Sequence, residues 1–196
     1  LAGLERVVEH QRVLADFGDL ALRSGDLDEV LTEACRHVAR ALGTGLAKIM
    51  EIEEDERTLF VRAGIGWKPG VVGRVRLPLN EASSEQYSVK AGKPVCTPDI
   101  RREERFDLPG FMEEAGVVGT VNVPIFLPGG RAYGLLQVDS REPWDIDGEE
   151  AEFLRTYTAI LGPVIDRLHK VHALQQALDA NGMLLREVQH RIKNNI

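Results

Sequence analysis

The sequence has few cysteines, no excess of basic residues and no long apolar run, and each shortage excludes a class of protein. Its two cysteines, Cys35 and Cys96, are too few for a disulfide framework and lack the spacing of metal ligands. Lysine and arginine number 24 against 31 aspartates and glutamates, and the net charge of −7 argues against nucleic acid as the main partner. No apolar run approaches the roughly 20 residues that a membrane span needs. We therefore expect a globular protein of the reducing cytoplasm, with no membrane segment in these residues.

The order of hydrophobic patterns predicts an α+β protein. The 196 residues suit one well-buried domain with helical extensions, and because they begin at Leu1 we expect a longer parent chain. Helical spacing marks both ends and strand-like runs fill the middle, with Asp26 and Asp147 placed to cap helices. The expected order is helix 1–23, helix 27–42, strands 46–53, 57–64 and 72–79, helix 81–91, strand 94–97, helix 108–115, strands 117–126 and 132–139, and a long helix from 147. This order favours a mostly antiparallel six-stranded sheet flanked by helices.

Three stretches in the second half of the sequence resemble the GAF domain, a module that senses small molecules and chromophores. They read GKPVCTPDI, AGVVGTVNVPIF and YGLLQVDSREPWDIDGEEAEFL, and with their surroundings the resemblance covers 27–161. It implies a GAF-like six-stranded sheet with the first and last helices on one face. Shorter helices and loops would close a ligand pocket over the other face.

The resemblance also implies which residues line that pocket, although core packing remains the alternative for any single one. The expected lining is Trp67, Tyr87, Cys96, the segment with Phe106, Phe111 and Met112, and the alternating strand positions Thr120 and Asn122. Neither cysteine lies in a sequence suited to bilin attachment, and the histidines His10, His37, His169 and His172 lie on predicted helices outside the pocket. We therefore expect no covalent chromophore and no metal. A cyclic nucleotide, another small metabolite or no ligand at all stay open.

The last predicted helix ends in LLREVQHRIKNNI, and its apolar positions repeat at threes and fours as in a two-stranded coiled coil. This pattern places His190 opposite the seam, where an imidazole points to solvent. An exposed histidine is usually an ordinary surface residue. However, HRIKNN resembles the H-R-x-K-N-N phosphoacceptor box of a sensor histidine kinase subfamily.

The kinase resemblance implies a role for each residue of the box. His190 would take the γ-phosphoryl group of ATP and pass it to an aspartate of a response regulator. Arg191 and Lys193 would offset phosphate charge, and Asn194 or Asn195 would hold the ring or the phosphate. The boxes of an ATP-binding domain are not found in the sequence, so we expect ATP to bind a domain outside it and these residues alone to be inactive.

These resemblances predict three parts and a homodimer. Residues 1–23 would be an N-terminal helix of a dimer bundle, 24–162 the GAF sensor, and 163–196 a coiled-coil linker with the start of the phosphoacceptor helix. The seam has a phase slip between Val171 and Leu174, a polar Asn181 and a neighbouring Gly182, defects that suit a helix able to hold two registers.

Two other functions stay open at this stage. The chain would be a ligand-binding or dimerisation module without kinase activity if HRIKNN is coincidental. It would be an enzyme of the free methionine sulfoxide reductase type if its cysteines lay together in the pocket, but Cys35 on a helix and Cys96 on a strand are a poor set for that chemistry.

Overall fold

The computed structural model describes residues 2–195, which alternate between helices and strands in the predicted order. Its helices are α1 (Ala2–Arg23), α2 (Leu27–Ala41), α3 (Ser84–Ala91), α4 (Gly110–Glu114) and α5 (Gly148–Asn194), with a 3₁₀ turn at Ile100–Arg102. The strands are β1 (Leu46–Ile52), β2 (Thr58–Ile65), β3 (Arg76–Pro78), β4 (Val95–Thr97), β5 (Gly119–Phe126) and β6 (Ala132–Ser140).

Aspartate side chains begin two of the long helices, as the sequence predicts. Asp26 Oδ1 accepts hydrogen bonds from the backbone N–H groups of Asp28 and Glu29, at 2.9 and 3.2 Å. At the start of α5, Asp147 Oδ1 accepts the N–H of Glu150 at 2.8 Å, and Glu150 returns the bond through Oε2 at 3.1 Å. Both caps satisfy backbone donors that a helix leaves free at its first turn.

The six strands form one sheet in the order β3-β2-β1-β6-β5-β4, and each neighbouring pair is antiparallel. The predicted α+β class and six-stranded sheet are therefore confirmed. The predicted strand 72–79 is shorter than expected, because Gly73 has a φ of +75° and the chain turns before β3 begins. Within the sheet, Thr120 lies beside Asp139, and Gln137 lies between Asn122 and Lys48.

A layer of three helices covers the first face of the sheet. Residues that alternate along the central strands, such as Ile49, Val121 and Val138, pack against apolar residues of α1, α2 and α5. In this layer α1 and α5 run parallel. Arg6 near the start of α1 binds Glu149 near the start of α5, and Arg167 further along α5 donates to the Ala21 carbonyl.

A glycine lets α5 lie directly on the sheet. A Cβ atom built on Gly162 would lie 2.0 Å from the carbonyl oxygen of Phe126, at the end of β5. Only a residue without a side chain fits this approach, so the backbones of α5 and β5 touch. Helix α5 continues through Pro163 and reaches a length of about 70 Å over its 47 residues.

The C-terminal part of α5 extends beyond the sheet. Leu168 is the last side chain of α5 that is buried, and from His169 onward nearly every described side chain is exposed. No helix within residues 2–195 is long and apolar enough to cross a membrane.

Candidate functional site

The second face of the sheet carries polar side chains that are fully buried. We call the following set the polar cluster: Lys48 on β1, Ser84 and Glu85 on α3, Thr120 and Asn122 on β5, and Gln137 and Asp139 on β6. On each strand these positions alternate with residues that face the helical layer, so strand periodicity brings the cluster together on one side.

Lys48 and Asp139 form an ion pair with no exposed surface. Lys48 Nζ lies 2.7 Å from Asp139 Oδ2, and both side chains are 0% exposed. Aromatic rings cover the ammonium group, with the Trp67 centroid 4.2 Å and the Phe111 centroid 5.5 Å from Nζ. Trp67 is held in place because its Nε1–H donates to the Ala47 carbonyl at 3.0 Å. The pair is thus enclosed on the side that faces away from the sheet.

Amide side chains connect the sheet to α3. Gln137 Nε2 donates to Asn122 Oδ1 at 2.7 Å and to Glu85 Oε1 at 3.1 Å. Asn122 Nδ2 in turn donates to Ser84 Oγ at 2.9 Å, and Ser84 donates to the other Glu85 oxygen at 3.3 Å. These bonds leave Thr120 Oγ1, Gln137 Oε1 and Asp139 Oδ1 without a hydrogen-bond partner within the part of the chain that the structure describes.

A small cleft borders the polar cluster. Its volume is about 170 Å³, and Glu85 lines it together with residues at the start of α3 and before α4, among them Ser83, Asp107, Leu108 and Pro109. A larger cleft, of about 700 Å³, lies elsewhere, between the acidic β1–β2 turn and His169. Size therefore does not identify the site here, and the buried polar groups are the better guide.

The far end of α5 presents an exposed row of apolar side chains. We call it the α5 stripe: Val171, Leu174, Leu178, Leu185, Val188 and Ile192, each about half exposed. Its spacing of threes and fours, with Asn181 at the intervening position, is that of a coiled-coil seam. The phase slip before Leu174 falls just after Leu168, where the side chains of α5 stop facing the sheet.

His190 is exposed and lies on the opposite side of α5 from the α5 stripe. The Asn194 amide nitrogen, one turn further along, is 3.3 Å from His190 Nδ1 and 3.5 Å from Nε2. Arg191 forms an ion pair with Glu187 at 2.6 Å, so its guanidinium group is partly engaged. Lys193 is exposed on the same turn.

The sequence matches the model of a known domain family over residues 26–165, which is most of the chain. The matching family is described as the GAF domain. This chain belongs to the GAF family. No curated protein matches it.

Solved structures show the same fold at low sequence identity. The GAF domain of a phosphoenolpyruvate-protein phosphotransferase from Coxiella burnetii has a TM-score of 0.75 at 17% identity, covering 85% of this chain and 98% of that one. The free methionine-R-sulfoxide reductase of Neisseria meningitidis, solved with its substrate, has a TM-score of 0.70 at 17% identity, covering 83% and 91%. A domain described as part of a two-component sensor histidine kinase protein from Sinorhizobium meliloti has a TM-score of 0.61 at 19% identity, covering 78% and 99%. At these identities the likeness concerns the GAF fold alone.

The GAF domain brings several of the predicted pocket residues together on the second face. Trp67 and Phe111 cover Lys48, and Thr120 and Asn122 belong to the polar cluster. Met112 is buried nearby in a small apolar group with Leu46, Ile100 and Val117. Ligand binding by these residues stays a prediction.

Tyr87 and Cys96 lie apart from this region, and a ligand-binding role for them stays a prediction. Tyr87 is half exposed and packs on Phe106 at 5.5 Å between ring centroids, because the inner face of α3 is formed by Ser84, Glu85 and Ser88. Cys96 packs beside the helical layer, since Val95 and Thr97 take the alternate positions of β4 that face the other way. Its thiol lies 3.4 Å from the Trp144 carbonyl oxygen.

Neither cysteine of the GAF domain is prepared for redox chemistry with a pocket ligand. Cys35 is fully buried in the helical layer, and burial raises the pKa of its thiol to about 12. Burial also raises the pKa of Cys96. A raised pKa lowers the thiolate fraction that nucleophilic attack requires, so the geometry does not favour the reductase alternative. Within residues 2–195, no three His, Cys, Asp or Glu side chains are grouped so that they could hold a metal ion.

Proposed function

We propose that this chain is the sensory region of a two-component histidine kinase, in which ligand binding to the GAF domain controls phosphorylation of His190. The observation that carries the proposal is the position of HRIKNN: it lies at the exposed end of a helix that is continuous with the helical layer of the sensor. A histidine that accepts a phosphoryl group needs an accessible ring and space for a nucleotide-binding domain. His190 meets both requirements.

The path from ligand to output runs through β5. Thr120 and Asn122 on this strand belong to the polar cluster, and its last residue, Phe126, touches Gly162 of α5. Because the two backbones are in direct contact, a shift of β5 is passed to α5 without an intervening side chain that could absorb it. The same helix then carries the shift to His190.

The helical surfaces favour a parallel homodimer. The α5 stripe has no partner within the described chain, and α1 also exposes Leu4, Val8 and Leu22. Since α1 and α5 run parallel in one chain, two copies related by a twofold axis along the helices would place four parallel helices side by side. Beyond the end of α1 only the two α5 helices would continue, and burial of the α5 stripe between them supplies the apolar contacts that the single chain lacks.

His190 would act as the nucleophile toward ATP held by a nucleotide-binding domain outside this sequence. A lone pair on a neutral ring nitrogen attacks the γ-phosphorus, an N–P bond forms, and the bond from phosphorus to the β,γ-bridging oxygen breaks as ADP leaves. The Asn194 amide nitrogen lies 3.3 Å from His190 Nδ1 and can hold the ring by donating to it. Arg191 and Lys193 supply positive charge near the incoming phosphate. The phosphoryl group then passes to an aspartate of a response regulator in the cytoplasm.

Radiolabelled ATP tests this proposal on the full-length protein. Wild type is expected to acquire label that is lost in acid and retained in base, as an N–P bond requires, and His190→Gln is expected to acquire none. His172→Gln is the matched control, because His172 is an exposed histidine on the same helix. Equal labelling of the His190→Gln variant, or no labelling of wild type, overturns the proposal and favours a ligand-binding or dimerisation module without kinase activity.

A further inference from the structure

Three unpartnered oxygen atoms of the polar cluster are neighbours on the second face of the sheet. Thr120 and Asp139 are directly paired on β5 and β6, and Gln137 lies two positions before Asp139 on the same face. Thr120 is 1% exposed, and Gln137 and Asp139 are 0% exposed. A buried polar atom without a hydrogen bond is costly, and native proteins seldom leave several of them together.

The hydrogen bonds around these three oxygens determine which of them can still accept a hydrogen bond. Both N–H groups of the Gln137 amide are used, one by Asn122 and one by Glu85, so Gln137 Oε1 is necessarily the free end. Asp139 Oδ2 is engaged by Lys48, which leaves Oδ1 as a free acceptor. The Thr120 hydroxyl can donate or accept. The cluster therefore has three oxygens with no hydrogen-bond partner, whereas each of its amide nitrogens already donates a hydrogen bond.

The charges of the polar cluster, like its hydrogen bonds, oppose an anionic ligand. The cluster contains two carboxyl groups, Glu85 and Asp139, and one ammonium group, Lys48, which is already paired with Asp139. Within residues 2–195 Glu85 forms no ion pair with a basic side chain, and its oxygens accept from Gln137 and Ser84. Two carboxylates against one ammonium oppose the entry of an anion into this low-dielectric site.

We propose that the ligand sensed by this GAF domain is a small molecule that presents an edge of N–H donors and carries a positive or zero charge. An amidine, an amine, or the amide or amino edge of a heterocycle has this chemistry, whereas a carboxylate or phosphate group does not. The inference deepens the ligand-sensing half of the proposed function and rests on it. The cleft of about 170 Å³ meets the cluster at Glu85, whose carboxyl group accepts a hydrogen bond from Gln137.

Two threonine variants of the 196-residue chain test whether the free acceptors belong to an empty site. Thr120→Val removes an unpaired hydroxyl without changing the side-chain volume, so the melting temperature without ligand is expected to rise by about 2–4 °C. Thr97→Val is the matched control: Thr97 is 2% exposed and pairs with Thr120 across the sheet, but its hydroxyl is not among the buried oxygens without a partner and helps to lower the pKa of Glu103. Its melting temperature is expected to fall. A fall of the same size for Thr120→Val means that a bound water satisfies the hydroxyl, and overturns the inference.

Three probes of one shape test the donor requirement directly. Acetamidinium presents only donors, acetamide presents donors and an acceptor, and acetate presents only acceptors. Saturation-transfer NMR at millimolar concentration is expected to show binding in the order acetamidinium, then acetamide, with no transfer to acetate. Thr120→Val is expected to weaken the acetamidinium signal and Thr97→Val to leave it unchanged. Preferential binding of acetate, or no binding of any probe, overturns the inference.

Failure of this inference is separable from failure of the proposed function. Acetate binding would show a ligand site of the opposite chemistry and would leave the phosphorylation of His190 intact. A protein whose His190 is not labelled by ATP would still show the donor preference, because that preference depends only on the polar cluster.

Discussion

The polar cluster and the α5 stripe both depart from the usual distribution of side chains between core and surface, but in opposite directions. In the cluster, charged and amide groups are fully buried, whereas the apolar residues of the α5 stripe are about half exposed. Polar groups normally stay near water and large apolar residues normally leave it. The two proposals above explain both departures: a small polar molecule would complete the polar cluster, and the α5 helix of a second copy would cover the α5 stripe.

The largest expected effect comes from breaking the buried ion pair of the polar cluster. Lys48→Met leaves the Asp139 carboxylate buried without its partner, which typically costs about 3–5 kcal/mol of unfolding free energy. Urea denaturation measures this loss. The double variant Lys48→Met, Asp139→Leu is expected to recover most of it, because it removes both charges.

A surface pair supplies the control for this prediction. Lys170 lies 2.7 Å from Asp166 on α5, with its side chain 75% exposed, so Lys170→Met is expected to change stability little. If the two single variants unfold at the same urea concentration, the Lys48 pair is not a buried element of the fold and the contrast between the two regions fails.

The next effect concerns the contact that joins the two regions. Gly162→Ala places a methyl group against the Phe126 carbonyl, which forces α5 away from β5 and is expected to cost about 1–3 kcal/mol. Gly182→Ala on the exposed part of α5 meets only the end of the Arg186 side chain, at 3.8 Å. This substitution is expected to stabilise the helix by up to about 1 kcal/mol, since alanine has a higher helix propensity than glycine. Thermal unfolding followed by circular dichroism compares them, and a neutral Gly162→Ala would contradict the direct backbone contact.

A smaller effect tests the partner of the α5 stripe. Leu185→Lys puts a charge in the proposed dimer seam and is expected to raise the dimer dissociation constant at least about tenfold, a change of about 1.4 kcal/mol. Met183→Lys is the control, because Met183 is equally exposed but lies off the stripe. Sedimentation equilibrium measures both. Equal weakening by the two substitutions would show that general charge, rather than a seam, controls association.

The smallest expected effect is a pH dependence of the unfolding free energy, caused by His37 in the helical layer. Burial lowers the pKa of His37 below its ordinary value of 6.5. The unfolded chain therefore binds a proton more readily than the folded one, and this residue makes stability fall as pH decreases through about 6.5. His37→Gln is expected to reduce the pH slope of the unfolding free energy between about pH 7 and pH 5. His172→Gln, on the exposed part of α5, is expected to keep the wild-type slope; a His37→Gln slope equal to wild type would contradict the assignment.

The order of helices and strands was predictable because it depends on local periodicity and capping. The Asp26 and Asp147 caps and the continuity of α5 through Pro163 agree with the pattern. The predicted strand near β3 was too long, because its apolar residues surround Gly73, whose backbone turns. The face of the sheet on which Cys96 lies was not predictable, because β4 has only three residues, too few for alternation to reveal its orientation.

The polar cluster was only partly predictable, because pairing between distant strands assembles it. Thr120 and Asn122 were predicted because they are alternating polar residues of one strand. Lys48, Gln137 and Asp139 have an equally clear pattern in the sequence but were missed. Each interrupts an apolar strand at the alternate position, in LAKIMEI and AYGLLQVDS. What the sequence does not contain is the register that places these strands side by side and α3 above them.

Helix α5 extends far beyond its last buried residue, so a small tilt at its base produces a large displacement near its C-terminal end. From Leu168 to His190 the helix extends about 33 Å, and a tilt of about 5° at its base displaces the imidazole by about 3 Å. Displacements of about 1 Å already separate reactive from unreactive geometries in phosphoryl transfer and similar reactions. Under the proposed function, a rearrangement near Gly162 too small to alter the core would therefore move His190 far enough to decide whether it reaches a nucleotide.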